Sequence, residues 1–161
     1  MQESNLRPLL ALPFALLLAQ LITGCSGMPE NSSDPESVTG LDRCPSSPNC
    51  VSSAEDAGDS HYIDPISIDG DPDRAWQALQ DLLAEDGSFE IVSANERYLR
   101  AVATTRILRF KDDVEFLLNR ESGEIGMRSA SRVGYSDLGK NRSRIEDIRQ
   151  RMIDAGVAVE A

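Results

Sequence analysis

Hydrophobic and polar residues change their spacing several times along the chain, and each spacing predicts a different element. Ile66 and Ile68 flank a serine, which is the alternation of a short strand. Asp71 and Pro72 then form a helix start, with an N-cap followed by proline at the first helical position. The predicted helix ends at Gly87. Its apolar face comprises Ala75, Trp76, Leu79, Leu82 and Leu83.

Four β-rich segments follow this helix and are joined by short connections. The predicted strands cover residues 89–92, 98–105, 114–118 and 124–131. Hairpin turns are predicted at 94–97 and 119–123, where polar residues and glycine cluster. Residues 107–110 follow the second of these strands, and Lys111, Asp112 and Asp113 are predicted as a turn or a bulge before the third.

A second helix is predicted from about Asn141, and its apolar residues are Ile145, Ile148 and Met152. The order β-α-β-β-β-β-α predicts an α+β domain. We expect a twisted antiparallel sheet of about four to five strands with two helices packed on one face. Residues 44–155 are assigned to this single domain, and residues 156–161 to a C-terminal tail.

The first residues have the pattern of a secretory leader. A basic residue precedes a short apolar run, which Pro13 and Gln20 interrupt, so the run is too short and broken for a spanning helix. Ile22-Thr23-Gly24-Cys25 then resembles a bacterial lipobox. We therefore predict that residues 1–24 are a lipoprotein signal peptide and that acyl chains on Cys25 tether the protein to a membrane. The alternative is an ordinary cleaved signal with an incidental cysteine.

A lipidated protein of this kind belongs to the cell envelope, with its domain facing the periplasm. Ser26 follows the cysteine. An aspartate at this position would favour retention in the inner membrane, so its absence slightly favours the outer membrane. Residues 25–43 are rich in serine, proline, glycine, asparagine and acids, and they lack apolar periodicity. This composition predicts a flexible, solvated acidic linker.

Two further cysteines, Cys44 and Cys50, enclose a short stretch with two prolines. In an oxidising compartment a disulfide is the expected state of such a pair. A metal site would need more partners, because His61 is the sole histidine of the chain. A redox role is disfavoured because the spacing is not Cys-x-x-Cys.

The formal net charge of −11 argues against nucleic acid as a partner. The charge is distributed unevenly: residues 25–96 hold 2 basic and 16 acidic residues, whereas residues 97–154 hold 13 basic and 9 acidic residues. An acidic leader could shield a basic site in the second half. The other interpretation is a solvated acidic tether without such a role.

Arginines, small residues and glycines concentrate between residues 128 and 144, where a strand end runs through a loop into a helix. Backbone N–H groups at a helix start and arginine guanidinium groups both favour an anion. The predicted ligand is an anionic small molecule, a lipid headgroup, an acidic glycan or a partner protein. The candidate residues are Asp112, Asp113, Arg128, Arg132, Asp137, Asn141 and Arg142. The alternative is an internal ion-pair network in which the three aspartates hold the arginines.

Three motifs, in this order, resemble the domain of unknown function family 1499 over about residues 43–152. They are Cys44-Pro45 with Pro48-Asn49-Cys50-Val51-Ser52-Ser53, then Phe110-Lys111-Asp112-Asp113-Val114-Glu115-Phe116, then Arg128 to Gly139 with Asn141-Arg142 and Arg144-Ile145. The resemblance implies a secreted, membrane-attached or lipoprotein-like protein. It implies no general activity.

We therefore predict a non-catalytic binding or scaffolding module without a cofactor or a metal. The alternative is a hydrolase or metal-dependent enzyme that uses the carboxylates around Asp112 and Asp113. A Ser-His-Asp arrangement would depend on His61, which lies in the acidic leader and is expected to be mobile. A paired-carboxylate glycosidase stays open, because the separation of two carboxylates is set by the tertiary structure.

Overall fold

Seven strands and two helices make up the domain in the computed structural model, which describes residues 34–160. The strands are β1 (Cys50–Ser52), β2 (Ile66–Ile68), β3 (Phe89–Ala94), β4 (Tyr98–Thr104), β5 (Lys111–Asn119), β6 (Glu124–Ser131) and β7 (Ala158–Val159). The helices are α1 (Pro72–Glu85) and α2 (Lys140–Asp154), and a short 3-10 helix covers Pro35–Ser37. The helix α1 starts as predicted, because the Asp71 side chain accepts a hydrogen bond of 3.0 Å from the N–H of Asp73.

All seven strands belong to one antiparallel sheet in the order β3-β4-β5-β6-β2-β7. The strand β6 is long enough to pair with two short strands along the same edge. Its start pairs with β2, where Ile66 faces Ile125, and its end pairs with β1, where Cys50 faces Ala130. β4, β5 and β6 form the continuous centre of the sheet, and β5 is the middle strand of these three.

The hydrophobic core lies between the sheet and both helices. Its largest residues alternate along the central strands and recur at helical spacing in α1 and α2. They include Leu99, Val114, Phe116, Ile125, Met127, Trp76, Leu79, Leu83, Ile145, Ile148 and Met152. The predicted α+β fold is confirmed. Residues 33–161 form a compact unit that contains the whole of this core.

The sheet has more strands than the four to five predicted, because β1 and β7 were not recognised. A strand of two or three residues is too short to show alternation, so its pairing partner specifies it rather than its own pattern. The strand β7 lies in the stretch 156–161, which was predicted as a tail. There Ala158 is buried, and it pairs with Ile68 at the edge of the sheet.

The prediction of a turn or bulge at Asp112 and Asp113 was wrong, since both residues lie in β5 and pair in register with β4 and β6. Aspartate is disfavoured in strands unless its charge is satisfied, and here arginines satisfy both carboxylates. The turn lies earlier. Thr105 donates its N–H to the carbonyl of Phe110 at 2.8 Å and thereby closes a loop over 105–110.

The described part of the predicted linker lies against the domain. The Asn95 side chain donates to the carbonyl of Pro35 at 2.9 Å, and Ser52 donates to the carbonyl of Asp42 at 2.9 Å. Gly126 leaves room for this segment, because a Cβ there would lie 3.3 Å from Leu41 Cδ1. The predicted signal peptide, the lipidation site Cys25 and the linker up to residue 33 lie outside the described residues. Within 34–160, no helix has both the length and the apolarity needed to cross a membrane.

Candidate functional site

The adjacent carboxylates Asp112 and Asp113 point to opposite faces of the sheet, because successive side chains alternate along β5. Asp112 lies on the helix side, in line with the core residues Val114 and Phe116. Asp113 and Glu115 lie on the face turned away from the helices. The acidic motif therefore supplies two separate polar clusters instead of one paired-carboxylate site.

The helix-side cluster consists of Asn49, Asp112, Ser129, Asn141 and Arg144. Asp112 is 2% exposed and forms an ion pair with Arg144, which is 8% exposed. The Arg144 guanidinium also donates to Ser129 Oγ at 3.0 Å and to Asn141 Oδ1 at 2.6 Å. The Asn141 amide then donates to the carbonyl of Asn49 at 2.8 Å. This cluster joins the start of α2 to β5, β6 and the residue before β1.

The second cluster is centred on Asp113 on the opposite face. Arg132 approaches its carboxylate with two N–H groups, each at 2.9 Å, and Arg100 donates to it at 2.9 Å as well. Burial alone would raise the pKa of Asp113. The hydrogen bonds and charges of Arg132 and Arg100 outweigh burial and hold the pKa of this carboxyl below its usual range.

Glu115 extends this cluster along β5. It accepts hydrogen bonds of 2.7 Å from Arg128 and of 2.7 Å from the Tyr98 hydroxyl. Burial raises the pKa of Tyr98, and the hydrogen bond to the Glu115 carboxylate raises it further, so the phenol stays protonated. The arginines at 128 and 132, which were predicted as ligand contacts, are thus engaged by acids of the neighbouring strand.

The two remaining candidate residues, Asp137 and Arg142, lie outside both polar clusters. Asp137 lies two residues before Gly139, the N-cap residue of α2, and it caps the helix from there, since its carboxylate accepts the backbone N–H groups of Gly139 at 3.0 Å and Asn141 at 2.7 Å. Arg142 donates to the carbonyls of Ser60 at 2.9 Å and Tyr62 at 2.7 Å. The structure therefore distributes the seven predicted residues among both polar clusters, the helix cap and a loop contact.

The Cys44–Cys50 disulfide is confirmed, with a Cα–Cα distance of 5.7 Å. His61 was expected in a mobile leader, but it lies in an ordered loop, where its carbonyl accepts the N–H of Ser52 at 2.9 Å. Its ring contacts Asp59 Oδ1 at 3.1 Å and the carbonyl of Ser47 at 3.2 Å, so among the described residues it meets no serine hydroxyl. Over the same residues no group of three or more His, Cys, Asp or Glu could hold a metal ion.

Sequence reasoning missed a groove of about 760 Å³ between the α1–β3 junction, the β4–β5 loop and α2. Four cationic side chains line it: Arg106, Arg109, Lys140 and Arg144, of which Arg144 is the partner of Asp112. Among residues 34–160, no carboxylate forms an ion pair with Arg106, Arg109 or Lys140. The sequence feature that could have indicated the groove is the pair Arg106 and Arg109, which flanks the apolar residues 107 and 108. No site was predicted from this pair.

The groove contains acidic as well as basic side chains. Asp86, Glu90 and Asp147 line it as well and supply negative charge. Burial alone would raise the pKa of Asp86, but hydrogen bonds from Ser88 and Arg151 outweigh burial and hold the pKa below its usual range. Asp86 therefore stays anionic where α1 ends. Cations supply the opposite charge at the β4–β5 loop and the start of α2.

A family model described as "Protein of unknown function (DUF1499)" matches residues 40–152. The matched range includes both polar clusters, the disulfide and every residue that lines the groove. No curated protein and no solved structure matches the chain.

Proposed function

Because this chain belongs to the DUF1499 family, whose description assigns no activity, we propose its function from the groove: the domain is a non-catalytic module that binds an anionic ligand. The match supports the motif resemblance found in the sequence. The observation that carries the proposal is the convergence of Arg106, Arg109 and Lys140 on one groove, without acidic partners among the described residues.

Unpaired cations are informative in this chain because acids outnumber bases by 27 to 16. Most arginines of the 128–144 stretch contact acids or carbonyls, as Arg132 and Arg142 do. The N-terminus of α2 is already capped by Asp137. The anion-binding role therefore moves from the predicted arginine loop and helix start to the adjacent groove.

The groove also has the size of a ligand site, and its polar side chains suit an anion. Its volume lies within the range of about 300–1,000 Å³ that is common for small-molecule pockets. Thr104, Thr105 and Ser143 add hydroxyl groups beside the cations. Guanidinium and ammonium groups next to hydroxyls suit a phosphate or a carboxylate. A phosphorylated headgroup or an acidic glycan fits this chemistry.

The contacts do not favour the alternative hydrolase or metal-dependent enzyme. Asp112 and Asp113 lie on opposite faces of the sheet, and a guanidinium group engages each of them. A general base needs an accessible carboxylate whose pKa approaches the operating pH. The pKa of Asp113 is shifted in the opposite direction.

We further propose that Cys25 anchors the module to a membrane of the cell envelope, facing the periplasm. The lipobox Ile22-Thr23-Gly24-Cys25 supports the anchor, and Ser26 favours the outer membrane slightly. Mass spectrometry of the protein made in a bacterial host should find a peptide that begins at an acylated Cys25. An unmodified Cys25 or an uncut leader would contradict the anchor and leave the groove proposal untouched.

Calorimetric titration with glycerol phosphate and with an oligogalacturonate tests ligand binding. The protein of residues 33–161 should bind at least one of these probes, and Arg106→Gln with Lys140→Gln should weaken binding by about tenfold or more, because charge-assisted contacts are lost. The matched control is Arg74→Gln with Arg97→Gln, which removes the same charge from exposed sites outside the groove. Equal weakening by both double variants would refute the groove as the site.

A further inference from the structure

Exposed apolar side chains concentrate at one end of the domain. Among the described residues, nine large hydrophobic side chains are exposed, and six of these lie in the two loops 105–110 and 132–139. The six are Ile107, Leu108, Phe110, Val133, Tyr135 and Leu138. Ile107 is 87% exposed and Leu138 is 97% exposed, so neither side chain belongs to the hydrophobic core. An apolar patch of this kind marks an interaction surface.

The two loops are neighbours in space. One joins β4 to β5 and the other follows β6, so both leave the same end of three adjacent strands. The N–H of Arg132 donates to the carbonyl of Lys111 at 3.2 Å and holds the two loop bases together. The groove described above opens beside them, because Arg106 and Lys140 both line it.

Internal hydrogen bonds fix the shape of the first loop. Phe110 donates its N–H to Thr105 Oγ1 at 2.8 Å, and Arg109 donates its N–H to the carbonyl of Thr105 at 3.1 Å. Arg109 and Leu138 are the two non-glycine residues with positive φ in the described part of the chain, at 57° and 54°. The apolar tips are therefore held outward by structured loops, which lowers the entropy cost of engaging a surface.

Basic residues outnumber acidic residues in both loops. Residues 105–111 contain Arg106, Arg109 and Lys111 and no acid. Residues 132–140 contain Arg132 and Lys140 with one acid, Asp137, whose carboxylate caps α2. In a chain of net charge −11, this end is a local cationic region. The acids Asp86, Glu90 and Asp147 lie in the adjacent groove and not in the loops, and at physiological salt more distant acids are screened over about 8 Å.

We propose that this end of the domain docks on an anionic bilayer: the apolar tips enter the interfacial layer, and the adjacent cations bind lipid phosphates. The inference rests on the proposed anion-binding function and names the ligand as the headgroup of an anionic lipid within a membrane. A bilayer supplies an apolar layer directly beneath a layer of phosphates. The apolar tips of both loops, with basic residues beside them, match that layering, and exposed apolar tips can enter the interfacial layer.

The proposed anchor permits this docking on its own membrane. Nine peptide units join Cys25 to Asp34, and an extended chain of that length reaches roughly 30 Å. Asp34 lies near the β3–β4 turn, since the neighbouring Pro35 contacts Asn95 there. That turn is at the opposite end of the sheet from the apolar loops, and nine-residue β5 spans roughly 26 Å. The tether is thus long enough for the domain to lie along the bilayer with its loops in contact.

Vesicle sedimentation with the protein of residues 33–161 tests the proposal, because this unit lacks the leader and Cys25. It should bind vesicles of equal parts phosphatidylglycerol and phosphatidylcholine, and bind pure phosphatidylcholine much more weakly. Ile107→Ser with Leu108→Ser should lower the partition coefficient at least about tenfold, since both side chains lose apolar contact. Arg106→Gln with Lys140→Gln should lower it roughly 25-fold.

Matched controls carry the same changes elsewhere. Ile91→Ser with Val92→Ser alters exposed apolar residues on β3, and Arg74→Gln with Arg97→Gln removes two exposed charges. Both control variants should keep the partition coefficient within about twofold of the parent protein. A tryptophan placed by Leu108→Trp should show a blue-shifted emission on anionic vesicles, which adsorption by charge alone would not cause.

The outcomes separate this inference from the proposed function. Binding of glycerol phosphate without binding of anionic vesicles would overturn bilayer docking and leave the anion-binding module standing. Vesicle binding that Ile107→Ser with Leu108→Ser weakens no more than the Ile91 and Val92 control would also overturn it. Failure to bind glycerol phosphate, the oligogalacturonate and the vesicles would overturn both proposals.

Discussion

Removing one partner of the ion pair between Asp112 and Arg144 is expected to destabilise this domain more than removing one partner of any exposed pair. Asp112→Val removes one partner and leaves the Arg144 guanidinium buried between α2 and the sheet. Arg144→Met removes the other partner and leaves the Asp112 carboxylate buried. The double variant replaces the pair with two apolar side chains of similar bulk.

The magnitude follows from burial and from the remaining contacts. A buried ion pair that loses one partner costs about 3–5 kcal/mol, because the other charge stays desolvated. Arg144→Met adds little beyond this, since Ser129 Oγ still donates to Asn141 Oδ1 at 2.6 Å and keeps that acceptor satisfied. Domains of this size are stable by about 5–15 kcal/mol, so each single variant loses a large fraction of its stability.

Urea unfolding of the oxidised protein, followed by the fluorescence of Trp76, measures these costs. Trp76 is the sole tryptophan and is buried between α1 and the sheet. We expect the double variant to cost no more than either single variant, which gives a coupling free energy of about 3 kcal/mol or more.

The matched control is the exposed pair of Arg120 and Asp73, whose side chains are 43% and 71% exposed. A cycle built from Arg120→Gln and Asp73→Asn should give a coupling of at most about 1 kcal/mol. The reasoning is refuted if Asp112→Val costs less than about 1 kcal/mol, or if both cycles give the same coupling.

Three smaller predictions concern other contacts. Reduction of the Cys44–Cys50 disulfide should lower the unfolding free energy by about 2 kcal/mol, since the bridge closes a short loop in the unfolded chain; an unchanged urea midpoint in reductant would contradict this. The pKa of Asp113 is lower in the folded protein than in the unfolded chain. The ionised carboxylate therefore adds to the free energy of unfolding above the unfolded pKa of about 3.9, and this stabilisation is lost as the pH falls through the folded pKa. Urea midpoints measured downward from about pH 4 should therefore fall more steeply for the parent protein than for Asp113→Asn, and parallel curves would count against the ion pairs. Gly139→Ala should destabilise by about 1 kcal/mol, because Gly139 has a φ of 78° before α2, whereas Gly87→Ala, at a position without positive φ, serves as the unstrained comparison.

Local spacing in the sequence determined most of the elements and the fold class. A helix start at Asp71, alternation at Val114 and Phe116, and the periodic residues of α2 each report short-range geometry, which is the same wherever the element lies. The pairing of Cys44 with Cys50 was also predictable, because they lie six positions apart and Cys25 is the one other cysteine in the chain.

The tertiary structure decided which charges are satisfied and which are available. Asp112 lies 32 residues from Arg144 along the chain, and the groove collects residues from Asp86 to Asp147. Strand register and helix packing set the spatial distances between these residues, and neither can be read from the spacing of apolar residues in the sequence. For that reason the arginines at 128 and 132 looked like ligand contacts in the sequence, whereas the cations that lack acidic partners in the described structure lie in the neighbouring loop and at the start of α2.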